Sequence, residues 1–247
     1  MSRSARCLAM QPSQLLNMKD RGKGRIFVMG NGPSLIDQVP QLKKMPAEIF
    51  FGCNSLFFWE DLPVTPRYYG ITDVYEKQYI DKLASILPRH VWAFNLQWPG
   101  GYNHERFIPV EKAHDSIQVR SSGSVGLGAH LPPIPTARTT PLTLVQLAFW
   151  FGYRDIYLLG VEQTRGYCHN PEATETMRGH AMPHDHNIKY KMAIIGCADK
   201  LRQEVEAVGG HLYDCSPGGV LNPTGKGLHP GLPVEYQVPP LEYKELE

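Results

Sequence analysis

Seven short runs of apolar, β-branched or aromatic residues recur along this chain, each bounded by turn residues. They fall at 25–29 (RIFVM), 49–52 (IFFG), 67–71 (RYYGI), 91–95 (VWAFN), 117–120 (IQVR), 155–159 (DIYLL) and 211–214 (HLYD). Runs of this length and composition read as strands. Helical patterns separate several of them. Strands that alternate with helices demand a mostly parallel sheet with helices packed on both faces. The expected fold is therefore α/β: a single open, doubly wound, mostly parallel sheet.

The helical segments carry their own signals. Residues 73–87 place apolar side chains at Tyr75, Tyr79, Leu83, Ile86 and Leu87. A second helix opens at Thr140-Pro141, read as a capping threonine followed by a proline at the first helical position. Its body, LTLVQLAFWF, is apolar all round and is expected to be buried, and Gly152 closes it. The clearest pattern starts at Asn187. Ile188, Met192, Ile195, Ala198, Leu201, Val205 and Val208 recur every three or four residues, which predicts one buried stripe; Gly209-Gly210 ends it. With 247 residues and 42% of them hydrophobic, the chain can fill a substantial core. The expected organisation is a lead-in over 1–23, one α/β domain over 24–220, and a Pro/Gly-rich tail over 221–247.

Charge excludes some partners. There are 25 basic and 24 acidic side chains, a net charge of +1, so no footprint for nucleic acid is expected. No apolar run approaches the length of a transmembrane span. The five cysteines, Cys7, Cys53, Cys168, Cys197 and Cys215, are scattered and form no CxxC pair. That distribution suits a reducing compartment, and the expected localisation is cytoplasmic. A homo-oligomer stays open as a partner reading.

The polar residues fall in a pattern. In an open parallel sheet, ligands bind beyond the carboxyl ends of the strands. The first strand is followed by Gly30-Asn31-Gly32-Pro33-Ser34, the second by Cys53-Asn54-Ser55 and the third by Thr72-Asp73. The run at 155–159 is followed by Gly160-Val161-Glu162, and the last by Cys215-Ser216. Arg138, Thr139 and Thr140 add a helix N-terminus, where free N–H groups favour an anion. These turns are expected to share one edge and form a cleft. Gly30–Ser34 is not a dinucleotide fingerprint, because Leu35 stands where a third glycine belongs, and it is not a Walker loop, because no GK[ST] follows. Its glycines would let a ligand approach the backbone. Pro33 would start a helix with the N–H groups of Ser34 and Leu35 pointing outward, and Asn31 could donate and accept at a ribose or phosphate.

A histidine-rich stretch, CHNPEATETMRGHAMPHDHN, precedes the long helix and is expected to be a loop at the cleft. It holds His169, His180, His184 and His186. Three readings stay open at this point. The stretch is a solvated lid with incidental histidines, a metal site using His180, His184 and His186, or the source of a general base. Imidazole suits the third role because it titrates near neutrality.

Taken together, VMGNGPSL, CNSLFFWEDL, TARTTPLTLVQLAFWFGYRDIYLLGVEQ and YDCSPGG resemble one superfamily. Its branches are the bacterial sialyltransferases of glycosyltransferase family 42 and the 6-hydroxymethylpterin diphosphokinase-like proteins. The resemblance spans residues 24–220. It implies a Rossmann-like, glycosyltransferase-A-like variant of the α/β fold. From the sialyltransferase branch it implies a nucleotide-sugar donor of the CMP type, held by Gly30, Asn31, Gly32, Ser34, Asn54, Asp73, Thr139, Thr140, Gly160, Glu162 and Ser216. It also implies a glycan or small-molecule acceptor, a catalytic histidine at His184 or His186, and Arg138 and Tyr167 on the departing phosphate. No metal or cofactor is required in that branch. The sequence departs from it at Glu162, where an aspartate is usual, and at Thr164-Arg165, where a second tyrosine belongs. The other branch implies diphosphate transfer from ATP, with magnesium held by Asp73, Glu162 and Asp185. A non-catalytic nucleotide or sugar sensor is the third reading.

Overall fold

The protein is described from a computed structural model that covers residues 15–72, 77–97, 102–116, 134–137, 139–162, 168, 186–217, 219 and 221, with backbone only for 111–116, 135–136 and 186–192. Among the described residues the frame has eight strands and four α-helices of more than eight residues. The strands are β1 (Arg25–Met29), β2 (Phe50–Cys53), β3 (Tyr68–Ile71), β4 (Trp92–Gln97), β5 (Ile108–Ser116), β6 (Ile134–Thr136), β7 (Asp155–Leu159) and β8 (His211–Asp214). The helices are α1 (Ser34–Leu42), α2 (Lys77–Ile86), α3 (Thr140–Phe151) and α4 (His186–Glu206). A short 3-10 turn covers Leu56–Phe58. The strands lie in the order β6-β5-β4-β3-β2-β1-β7-β8, and every pairing is parallel. This is the open, parallel α/β sheet expected from the alternation of runs.

Both faces are covered, and the strands show it. Ile26 and Val28 of β1 pack with Ile156 and Leu158 of β7 against the apolar surfaces of α3 and α4. Their neighbours Phe27, Met29, Tyr157 and Leu159 point the other way, to a second cluster with Leu35 and Leu42 of α1 and Ile80 and Leu83 of α2. A strand buried on both faces has no polar side, so it reads as a continuous apolar run. All twelve residues of α3 are buried, as its composition required. On α4 the buried positions are Ala193, Ile194, Cys197, Ala198, Leu201 and Val205. The stripe is thus set one residue off Ile195, and Val208 lies beyond the helix at 56% exposure, outside the stripe assigned to it from spacing.

Two strands were not anticipated. β5 carries Pro109, Glu111, Lys112, His114 and Asp115, and β6 is only three residues long. Pro109 is tolerated because β5 pairs with β4 alone at that level. Its pairing with β6 begins at Lys112, with a register shift between Ala113 and Ser116. The run at 117–120, expected as a strand, lies outside the described residues. The helical pattern at 73–87 yields a helix over Lys77–Ile86.

The order of strands fixes where a ligand belongs. β1 and β7 are neighbours. The chain leaves β1 towards α1 on one face and leaves β7 towards α4 on the other. A crevice opens at such a reversal, beyond the carboxyl ends of the two strands. Helix α4 runs back from the carboxyl end of β7 to the start of β8. Its 21 residues span about 30 Å at the usual helical rise. The four residues of β8 span roughly 13 Å. The first turns of α4, which begin at His186, therefore stand beyond the carboxyl edge of the sheet. His186 heads a helix and does not sit in the preceding loop, as the histidine-rich stretch had suggested.

Candidate active site

The site is assembled from the ends of β1, β2, β3, β7 and β8 and from the first turn of α3. At β1, the Gly30 N–H donates to Leu159 O at 2.7 Å, and the Gly32 N–H donates to Gly160 O at 2.8 Å. The two turns at the reversal are thus zipped together by backbone. Gly160 has φ +61°, and a side chain there would also meet Leu35 at 2.7 Å, so this turn requires glycine. Its counterpart Gly32 lies against the Glu162 carboxylate: a Cβ on Gly32 would come within 2.3 Å of it.

Glu162 is 2% exposed and reaches across to the start of α1. It accepts the Ser34 N–H at 2.6 Å on Oε1 and the Ser34 hydroxyl at 2.9 Å on Oε2. A carboxylate at a helix N-terminus is favoured by the unsatisfied N–H groups and the helix dipole. The Leu35 N–H goes to Gly32 O at 3.3 Å and the Ile36 N–H to Pro33 O at 3.0 Å. The N–H groups expected to point outward are therefore spent inside the protein, because a carboxylate 128 residues away in sequence fills the place.

Asn31 stands between the two glycines and is 9% exposed. Its carbonyl accepts the Cys168 N–H at 2.8 Å. Its side-chain Oδ1 is buried and has no hydrogen-bond partner. A buried amide oxygen without a donor costs about 1–3 kcal/mol, a cost that a bound hydroxyl or amine would remove.

At β2, Asn54 has φ +48°, a left-handed backbone that asparagine tolerates better than most residues. Its N–H donates to Gly70 O at 3.0 Å, and the Tyr69 hydroxyl donates to its carbonyl. Its side-chain Nδ2 donates to Thr140 Oγ1 at 2.8 Å, and Thr72 shares a short hydrogen bond with the same hydroxyl. These contacts pin the start of α3 over the ends of β2 and β3. The cap is Thr139, one residue earlier than the expected Thr140. Thr139 Oγ1 accepts the Leu142 N–H at 3.3 Å, its carbonyl accepts the Thr143 N–H at 3.0 Å, and Thr140 is the first helical residue.

At β8, the carboxylate of Asp214 is 1% exposed and accepts the Ser216 N–H at 2.9 Å. Ser216 Oγ in turn accepts the Val161 N–H at 2.9 Å. Gly219 packs on the backbone of Glu162. Burial pushes the Asp214 carboxyl up to about 7, against its hydrogen bonds from Ser216, and the nearby Glu162 charge adds to the rise. An unfolded Asp214 ionises near 3.8, so between pH 4 and 7 the native state holds a proton that the unfolded state has lost. Stability is therefore expected to fall as pH rises through that window, by up to about 4 kcal/mol, and to level off above it. Asp214→Asn keeps an acceptor for Ser216 and removes the titration. Denaturant midpoints from pH 4 to 8 should flatten in that variant, and an unchanged slope would assign the pH dependence to other groups.

The structure thus brings Gly30, Asn31, Gly32, Ser34, Asn54, Thr139, Thr140, Gly160, Glu162 and Ser216 to one edge. Arg138, Asp73, Tyr167, His184 and Asp185 lie outside the described residues, as does the side chain of His186. Thr72 belongs to the same edge, as expected for the turn after the third strand, and so does Asp214, which was not singled out from sequence. The signal for Asp214 was position alone, a polar residue at the end of a strand. Among the described residues no group of three His, Cys, Asp or Glu side chains could hold a metal ion, and no helix is long and apolar enough to cross a membrane. Cys53, Cys168, Cys197 and Cys215 are buried and form no disulfide with one another.

No family model and no curated protein matches this sequence. Solved structures do match. The sialyltransferase CST-II in complex with a trisaccharide acceptor and CMP superposes with a TM-score of 0.50 at 15% identity, over 87% of this chain and 90% of that one. The Campylobacter jejuni sialyltransferase CstII with CMP-3FNeuAc gives 0.49 at 15% identity, over 87% and 91%. The same enzyme with cytidine-5'-monophosphate gives 0.47 at 16% identity, over 88% and 91%. At this identity the likeness is one of fold: the chain shares the α/β architecture of the sialyltransferase CST-II along most of its length.

Proposed function

We propose that this protein is a glycosyltransferase that takes a nucleotide-sugar donor, of the CMP-sugar type, in the crevice beyond β1 and β7. The observation that carries the reading is Asn31: a buried, unpartnered amide at a glycine turn, at the one reversal of the sheet. The fold likeness to a sialyltransferase supports it, as does the resemblance of GNGPSL and GYRDIYLLGV. The acceptor is a glycan or a hydroxyl-bearing small molecule. In the transfer, the acceptor oxygen bonds to the anomeric carbon while the bond from that carbon to the donor phosphate breaks. The acceptor proton passes to His184 or His186, and the electron pair leaves on the nucleotide phosphate. Arg138, Tyr167 and the first turn of α3 stabilise that leaving group. The position of α4, whose first turns overhang the edge, suits a base at His186 or just before it. The resemblance implies no metal for this step.

Diphosphate transfer from ATP fits less well. It draws on Glu162 as a magnesium ligand, and both oxygens of that carboxylate already accept from Ser34.

The test is calorimetry with CMP, CDP, UDP and ATP, with and without magnesium, on the wild type and Asn31→Ala. CMP is expected to bind without magnesium, and Asn31→Ala should weaken it by about 0.5–1.5 kcal/mol, the usual worth of one hydrogen bond. Tight binding of ATP alone, dependent on magnesium, would overturn the assignment. Equal CMP affinity in both proteins would remove Asn31 from the site.

A further inference from the structure

We infer that Glu162 is a specificity-determining residue: it closes the β1–α1 turn to anions, so that the uncharged nucleoside end of the ligand occupies this turn and its phosphate lies elsewhere on the edge. The nucleoside part of the inference rests on the nucleotide-sugar reading above; the exclusion of anions does not.

A glycine turn leading into a helix ordinarily offers a phosphate two things, a set of free N–H groups and the positive end of the helix. Here the helix start is taken, and of the turn's N–H groups only that of Asn31 has no acceptor among the described residues. The N–H groups of Gly30, Gly32, Ser34, Leu35 and Ile36 all have acceptors within the protein. The helix start holds a carboxylate at 2.6 Å from the Ser34 nitrogen. That carboxylate is 2% exposed, so it is poorly screened, and it would repel a second anion at close range. It is also sterically locked. The Gly32 backbone lies against its two oxygens, and Gly219 covers its backbone.

What the turn does offer is the opposite chemistry. Asn31 Oδ1 is a buried acceptor without a donor. A sugar hydroxyl or an exocyclic amine satisfies it, whereas a phosphate, an acceptor only, does not. The ligand is thus oriented by a pair of residues with separate tasks. Asn31 selects a neutral donor group, and Glu162 rejects charge. The phosphate is left to the other end of the edge, near the start of α3.

The test uses the full chain, labelled with 15N, and two probes that divide the ligand: inorganic pyrophosphate, which has charge but no nucleoside, and cytidine, which has a nucleoside but no charge. In the wild type, pyrophosphate is expected to leave the Ser34 backbone resonance unmoved, while cytidine shifts the Asn31 side-chain amide. Glu162→Ala vacates the helix start, and pyrophosphate should then shift Ser34 saturably, with an affinity about tenfold or more above that for the wild type. Glu162→Gln keeps the shape without the charge and guards against a misfolded alanine variant. Pyrophosphate should weakly perturb Ser34 in it, with the cytidine response retained. A saturable Ser34 shift by pyrophosphate in the wild type would overturn the exclusion. So would a silent Ser34 in both folded variants, which would leave Glu162 as a cap and nothing more. Absence of any cytidine response in the wild type would remove the nucleoside placement, and with it the nucleotide reading, while the pyrophosphate arm still decides the exclusion.

Discussion

Gly32→Ala is expected to be among the most damaging single substitutions in the described structure, although alanine is the smallest side chain it could receive. An alanine Cβ at this position would lie 2.3 Å from the Glu162 carboxyl carbon and 2.5 Å or less from both its oxygens. The added carbon has two ways out. The turn shifts, which breaks the Gly32 N–H bond to Gly160 and parts β1 from β7 at the crevice. Otherwise Glu162 is expelled, which leaves the Ser34 N–H and hydroxyl without partners and a carboxylate with no place in a dry interior. Leaving a buried donor or acceptor unsatisfied costs about 1–3 kcal/mol, and more when the group is charged. A loss of that size is expected in denaturant unfolding, with nucleotide binding lost alongside it, because Asn31 is the next residue. The double variant Gly32→Ala with Glu162→Ala separates the causes. If the clash is responsible, the double variant should be no less stable than Glu162→Ala alone, a non-additivity of several kcal/mol. A single Gly32→Ala variant within about 1 kcal/mol of the wild type would mean that the turn yields freely and does not shape the site.

Much of this fold can be read from the sequence, and the reason is burial. β1, β7 and β8 are buried on both faces, so their strand runs at 25–29, 155–159 and 211–214 coincide with the observed strands. β5 and β6 form the end of the sheet opposite β8. Ile108, Val110 and Ile134 are buried in the core there, but they are few and scattered, and Pro109 with its charged neighbours reads as a loop. The same division holds at the site. The polar turns after the strands announce themselves, because small polar residues interrupt apolar runs. What each turn does with its polar groups is not local. Ser34 finds its partner 128 residues away and Asn54 finds its partner 86 residues away. The sequence shows an N–H group at a helix start; only the fold shows that a carboxylate already sits on it. The one-residue error at Thr140 has the same origin. Arg138-Thr139-Thr140-Pro141 offers two hydroxyls, and the contact of Thr140 with Asn54 and Thr72 leaves Thr139 as the cap.

Loss of one histidine is expected to cost more turnover than any other change proposed for this protein. The transfer needs a base on the acceptor hydroxyl at the moment its oxygen meets the anomeric carbon. Positioned proton transfer is worth about 10²–10⁴ in rate. Either His184→Ala or His186→Ala should therefore lower kcat by that factor, with the other variant close to wild type. Donor affinity should be little changed, since in the proposed reaction the base acts on the acceptor while the donor would be held at β1 and β7. His186 is the first residue of α4, where Asn is also accepted at a helix start, so His186→Asn gives a variant that removes the base and spares the helix. The metal question is settled in the same assay. A leaving phosphate stabilised by Arg138, Tyr167 and the start of α3 needs no divalent ion, and transfer should survive EDTA. Diphosphate transfer makes the reverse demand: it should die with EDTA, persist in both histidine variants, and fail in Asp73→Asn. That second pattern would replace the glycosyltransferase assignment with a pyrophosphokinase on the same fold. A third pattern, stoichiometric zinc in the purified protein that is lost with His180, His184 or His186, would convert the histidine stretch into a metal site and take the base away from it.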